Sequence, residues 1–343
     1  MKIKLFIILI LIGLSTLYGQ IDNFETLTKT GTTAAQFLKI GVDARATAMG
    51  NAGAAMQGDL SAMYWNPAGL GYITGLEAMF VYQDWLAGIA YNYIAFATGL
   101  GNVGTIGVSV TSLSVPEDKV TTVEQPDGTG ELFDASDLAI NLSFSRRLTD
   151  KFSIGGSVKF IHQSIWHMSA NTVAADIGAL FTTPFKGIRI GACISNFGGD
   201  MQLGGRDTRF SKDPDDFNEG NVKFVNAMYE TDQFPLPIFF RVGIAGELYE
   251  DENLRATFGL DALHPNDNTE SLNSGLEVAF NEMLFLRSGY ATLFRKDTEQ
   301  GLTFGGGIHY RVWRSSTVLK IDYSYTDFGR LENVQRFSLG VKF

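Results

Sequence analysis

The chain has 343 residues, with 27 Lys plus Arg against 37 Asp plus Glu, a formal net charge of -10, one Cys, 38 Gly and 26 Phe. That length suits two ordinary soluble domains or one large β domain; the single Cys193 excludes a disulfide scaffold, and the acidic balance argues against nucleic acid, whose binders carry a clustered basic excess. Charged residues, at 19%, fall below the roughly 25% of soluble domains while apolar content is ordinary, so something other than a larger core replaces surface charge.

Lys2 and Lys4 precede the apolar run Leu5 to Leu14 and a small, polar stretch from Ser15 to Gly19. The run is too short to span as a helix, and the pattern predicts a secretory signal peptide, residues 1–19, cleaved near Gly19. Leu17 at the minus-three position makes the cut approximate, and no Cys follows to carry a lipid. Cleavage leaves 25 basic against 37 acidic residues, a net -12, on an exported chain.

Residues 34–75 are rich in Ala and Gly, with helical spacing over Phe37, Leu38, Ile40, Val42, Ala46, Ala48, Met49, Ala52 and Ala55, broken at Asn66 and Pro67. Residues 20–75 read as an N-terminal plug or hatch filling a lumen; the alternative is a loosely ordered periplasmic arm.

From residue 76 onward apolar side chains alternate with polar or small ones. Leu138, Ile140, Leu142 and Phe144 oppose Asp137, Ala139, Asn141, Ser143 and Ser145; Leu254, Ala256, Phe258 and Leu260 oppose Arg255, Thr257, Gly259 and Asp261. About fourteen such segments follow one another, near 76–83, 87–98, 103–114, 136–147, 152–163, 172–183, 187–197, 237–249, 253–263, 272–280, 283–293, 301–311, 316–326 and 332–343. Each has about the 9 to 11 residues of a tilted membrane strand, and the number is even. Alternation alone does not separate a soluble sandwich from a membrane barrel. Three features favour the barrel. Short connections at 148–151, 184–187, 250–252 and 281–282 are interleaved with longer ones at 115–135, 198–236, 264–271 and 294–300, as with periplasmic turns and external loops. The non-apolar face is Gly-rich with scattered charge, and the last segment ends in an aromatic residue, Phe343. The predicted fold class is all-β: a closed antiparallel transmembrane β-barrel, residues 76–343, with the plug inside.

The stretch from Asp43 to Gly53 (DARATAMGNAG), then Tyr64-Trp65-Asn66-Pro67-Ala68-Gly69-Leu70, resembles the hatch of the PorV/PorQ family of outer-membrane proteins. Glu124 to Glu131, Asp176 to Leu180 and the ending Phe337 to Phe343 are also similar to PorV-like sequences. The family is itself similar to FadL-type fatty-acid transporters. The resemblance implies a fourteen-stranded barrel with a hatch motif at Asn66, Pro67, Ala68 and Gly69. It also implies a role in type IX secretion beside a translocon barrel and cargo bearing a C-terminal signal domain. The FadL side implies instead passage of a hydrophobic small-molecule ligand. Outer-membrane lipid surrounds the barrel in either case.

Connection 198–236 holds eight acidic and four basic residues and several aromatics. Loops this long are usually functional or disordered, and the aromatics argue against simple disorder. Phe210, Asp215, Asp216, Phe217, Phe224 and Tyr229 are the candidate partner-binding residues; a lid packed on its own barrel is the alternative. Arg189, Arg241, Arg255, Asp261, Glu277, Arg287, Lys320 and Asp322 are expected in the lumen with Lys159 and Asp176, either as a ligand-orienting path or as ion pairs filling a narrow interior. Gly305 to Gly307 lie within a strand, without the following helix of a phosphate loop. His162, His167, His264 and His309 share no metal-ligand spacing. No cofactor is implied, and no recognised motif asks for a catalytic site.

Overall fold

The computed structural model describes residues 29–214, 224–295 and 298–343; the signal-peptide reading lies outside them. Seven strands come first: β1 (Leu76–Asp84), β2 (Ala90–Gly99), β3 (Thr105–Lys119), β4 (Leu132–Thr149), β5 (Phe152–Ile165), β6 (Met168–Thr182) and β7 (Arg189–Gly198). An excursion carries the short strands β8 (Met201–Gln202), β9 (Gly204–Gly205), β10 (Arg209–Lys212), β11 (Val225–Met228) and β12 (Gln233–Phe234). Seven more follow: β13 (Phe239–Glu250), β14 (Leu254–Pro265), β15 (Ser271–Phe280), β16 (Leu284–Leu293), β17 (Leu302–Arg311), β18 (Val318–Asp327) and β19 (Asn333–Lys342). Each long strand pairs antiparallel with the next; β7 meets β13 across the excursion, and β1 meets β19 with Val81 opposite Ser338. The result is a closed barrel of 14 strands. Closure leaves the barrel without an open sheet edge, which a bilayer demands. No helix among the described residues is long and apolar enough to cross a membrane; the strands make the crossing.

The alternation has its predicted meaning. Phe96, Phe144, Phe160, Ile244, Leu286, Ile308 and Leu339 stand exposed on the outer wall, while Ser143, Ser145, Asp261, Glu277, Arg287 and Ser338 are buried on the inner one. The outer stripe faces hydrocarbon, so it needs neither charge nor a second layer of protein.

Two loop expectations need correction. The connection expected over 115–135 is shorter, because a bulge between Val115 and Asp118 lets the ladder continue through Asp118 opposite Phe133 and Lys119 opposite Leu132. Likewise β5 and β6 rise together to a two-residue turn at Trp166 and His167, on the side where longer loops were expected. The wall is therefore taller over β3–β6 than over β15–β19.

The chain ahead of β1 threads the lumen from one end to the other. At the mouth that carries the long loops, the Ala34 N–H donates to the Pro235 carbonyl at 2.9 Å and the Thr33 hydroxyl to Asp267 at 2.7 Å. Helical turns Gln36–Lys39 and Ala44–Ala48 lead downward, the second capped by Asp43, which accepts from the Ala46 N–H at 2.8 Å. Turns Ala62–Trp65 and Pro67–Tyr72 reach the opposite end, beside the short hairpins, where β1 begins. The core lies between this hatch and the wall: Phe37, Leu38, Val42, Leu60, Met63 and Leu70 pack against Met79, Val81, Tyr91, Tyr93 and Ile161.

Candidate functional site

The floor of the barrel is built around Asn66. Its amide nitrogen donates to the carbonyls of Ala54 at 2.8 Å and Ala179 at 3.0 Å, and its amide oxygen accepts from the Ala68 N–H at 3.1 Å. Pro67 opens the following turn, where its missing N–H is harmless. The Ala68 carbonyl accepts from the hydroxyls of Ser145 at 3.1 Å and Ser153 at 3.0 Å. Gly178 and Gly155 have no side chain because one would overlap Asn66 and the Pro67–Ala68 backbone. The Gly-rich inner face thus records where the hatch touches the wall. Gly305 belongs to the same set, its missing side chain replaced by Ala48 of the hatch.

Above the floor the luminal charges pair. Arg45 of the hatch makes two bonds of 2.9 Å to the Glu277 carboxylate, and Arg287 donates to it at 2.8 Å and to Asp322 at 2.6 Å. Arg255 bridges Glu277 at 3.2 Å and Glu282 at 2.6 Å. Arg189 pairs with Glu247 at 2.9 Å, Lys320 with Glu77 at 3.4 Å and Lys159 with Asp176 at 2.8 Å. Asp261 accepts from the Ala54 N–H at 2.7 Å. Arg241 has its guanidinium over Phe239, Tyr64 and Trp65, between 4.8 and 5.4 Å from the ring centres. Pairs filling the interior, rather than a row of free charges, is the arrangement this geometry favours. Sequence reading missed Glu77, Glu247, Glu282 and the hatch cation Arg45 as partners. The alternation in Leu76–Asp84 was the available signal for Glu77, since it places that residue inward.

At the external mouth, Lys39 of the hatch forms an ion pair with Asp267 in the connection between β14 and β15. Burial alone would raise the Asp267 carboxyl, but the bonds from Lys39 and Thr33 hold it below the usual carboxylate range.

The excursion between β7 and β13 stands above this mouth. Its base is tied down: Gln202 donates to the Thr231 carbonyl at 2.7 Å, and His167 of the β5–β6 turn meets Asp207 at 3.1 Å. Beyond the base, β10 and β11 form a ribbon in which Phe210 stacks on Tyr229 at 4.5 Å between centroids. Phe224, Met228 and Tyr229 are 67%, 66% and 65% exposed. Of the six candidate residues, Phe210 and Tyr229 come together on this ribbon and Phe224 stands at its other end, beside Val225; Asp215, Asp216 and Phe217 lie outside the described residues. No group of His, Cys, Asp and Glu among the described residues forms a metal site.

A family model described as type IX secretion system protein PorV matches residues 23–200. No curated protein matches the sequence. Among solved structures, the Ralstonia pickettii toluene transporter TbuX superposes with a TM-score of 0.55 at 14% identity, covering 88% of this chain and 97% of that one. The monoaromatic hydrocarbon channel CymD gives 0.53 at 12% identity, covering 88% and 96%. A Pseudomonas aeruginosa FadL homologue gives 0.51 at 10% identity, covering 88% and 97%. At such identities the likeness is one of fold.

Proposed function

Because this chain belongs to the PorV family of outer-membrane β-barrels of type IX secretion, we propose that it serves secretion by holding a protein partner, translocon barrel or cargo, on its external ribbon. The observation that carries this reading is a set of exposed apolar side chains, Phe224, Met228 and Tyr229, displayed along one ribbon on a tied-down base. Apolar side chains displayed in water beyond the bilayer gain from being covered, and aromatic anchors of this kind dominate protein interfaces. Glu230 and Asp232 add acidic groups beside them, which suits a partner with basic groups beside its apolar patch. The barrel holds position in lipid, and the closed hatch keeps the membrane sealed while the ribbon works outside.

The test is to replace residues 209–228 by a short Gly-Ser link. Cargo bearing the C-terminal signal domain should then remain unsecreted while the barrel still shows heat-modifiable gel mobility; normal secretion by the variant overturns the reading. Passage of hydrophobic solutes has the fold likeness in its favour and the packed lumen against it. It requires that loosening Asn66 to Gly69 increase uptake of a labelled fatty acid.

A further inference from the structure

The ribbon above the mouth is a sheet of two strands, so β10 and β11 each have one edge with no neighbouring strand among the described residues. The two edges are built differently. β10 carries Arg209 and Lys212 and runs on to Pro214, and charge and proline are what proteins place on an edge strand to discourage a further one. β11, with the sequence Val225-Asn226-Ala227-Met228, has neither. Val225 and Met228 are exposed, as are Phe224 before the strand and Tyr229 after it.

The register fixes which backbone groups lie on the unguarded edge. The Tyr229 N–H donates to the Thr208 carbonyl at 2.8 Å, and from there Phe210 stands opposite Ala227 and Lys212 opposite Val225. Bonded pairs alternate with unbonded ones in an antiparallel ladder. Val225, Ala227 and Tyr229 therefore turn their backbone groups towards β10, while Asn226 and Met228 turn theirs away. Side chains alternate between the two faces, with Asn226 and Met228 on one and Val225 and Ala227 on the other. A strand laid beside β11 would meet an exposed apolar side chain on each face. Just beyond it, Glu230 and Asp232 stand exposed and without an ion pair among the described residues.

We infer, with the secretion function proposed above as premise, that β11 accepts an extended segment of the protein partner as a third strand. The segment carries apolar side chains on both faces and a basic residue beside Glu230 and Asp232. Main-chain bonds to Asn226 and Met228 supply the pairing, and contact with Val225, Met228 and Tyr229 supplies the choice of side chains. Charge selects the edge as well as the guest: Arg209 and Lys212 repel a basic segment at β10, whereas the acidic groups after β11 attract it.

The experiment measures surface delivery of cargo bearing the C-terminal signal domain in cells that carry the full chain with one proline added. N226P removes an outward N–H and no bond within the ribbon, a change that an open edge tolerates; N226A keeps that N–H and removes the side chain. Secretion should fall roughly fivefold or more in N226P, the loss expected of one main-chain bond, and stay near native in N226A. A disulfide between R209C and M228C in the N226P background reports an intact ribbon, because those positions are directly opposed. Should it not form, M228P with S211C and N226C repeats the test at the other outward N–H, and a ribbon broken by both prolines shows that the edge is not open. E230K with D232K should lower secretion several-fold. Native secretion by a proline variant with an intact ribbon, or by the charge pair, overturns the assignment. So does a native barrel that sediments as a dimer in detergent and as a monomer in N226P, since the occupant is then a second copy of this chain. Normal secretion after replacement of residues 209–228 is a separate failure, that of the secretion surface itself; loss of secretion there with N226P unaffected keeps the surface and removes only the added strand.

Discussion

Asn66 at the floor of the barrel and Tyr229 at its crown are both polar-tipped side chains in chain segments outside the barrel wall, and both stood out in the sequence. Their surroundings differ in kind. Asn66 is buried with its amide nitrogen and oxygen bonded within the protein, whereas Tyr229 keeps most of its surface in water and touches one stacked ring. A residue whose polar groups are all consumed internally holds structure; one whose apolar surface is maintained outside has that surface to offer. The contrast places assembly in the lower, inner layer and, on the function proposed here, recognition in the upper, outer one, and it is open to direct attack.

The largest expected effect is at the floor. In Gly178→Val the new side chain would overlap the Asn66 amide, which is held by bonds on both sides and has no room to retreat. Overpacking against ordinary side chains costs about 1–3 kcal/mol, and a fixed neighbour raises that. The variant should fail to reach the heat-modifiable folded form in detergent; folded protein at native yield would mean that the hatch is not seated where the structure has it.

Next is Glu277→Gln. This single carboxylate answers Arg45 from the hatch and Arg287 and Arg255 from the wall, so neutralising it leaves three guanidinium groups short of charge. Breaking a buried pair costs about 3–5 kcal/mol, because the remaining cation stays behind. The thermal midpoint should fall clearly, and adding Arg45→Met should recover part of the loss by removing one stranded cation. A double variant less stable than the single one would show that Arg45 stabilises the hatch by packing rather than by charge.

A smaller effect is expected where the hatch meets the outer mouth. Asp267 has its folded value lowered by Lys39 and Thr33, so the stabilisation it contributes is present above the unfolded value, near 3.9, and is lost as pH falls through the lower folded value. Asp267→Asn should speed hydrogen exchange at residues 33–39 by roughly tenfold at neutral pH, the equivalent of about 1.4 kcal/mol. The native chain should approach the variant only in acid below that carboxylate range. Equal exchange in the two at neutral pH would show that the tie contributes nothing.

Much of this was legible beforehand, for identifiable reasons. A strand with one face in hydrocarbon and one on a packed lumen writes its period into every second residue, so Leu138 to Ser145 and Leu254 to Asp261 announced both the strands and their inner faces. The hatch was visible through its Ala and Gly content, which close approach to the wall requires. The partners of the luminal charges were not visible, because pairing across a barrel depends on register and on where the hatch lies. Glu277 and Arg45 are joined only in three dimensions. The heights of β3 to β6 were also hidden, since a bulge at Val115 to Asp118 carries the ladder through residues that look like loop.

The crown supplies the smallest effect on stability and, in this comparison, the most informative one. Phe210→Ala with Tyr229→Ala removes a stack worth about 0.5–1.5 kcal/mol beyond its buried area, in a ribbon that the barrel below does not lean on. The thermal midpoint should stay close to that of the native barrel, while secretion of cargo with the C-terminal signal domain should drop several-fold. Phe210→Tyr, which keeps the stack, should leave secretion near normal. If the alanine pair secretes normally, the exposed rings are a lid for the barrel's own mouth.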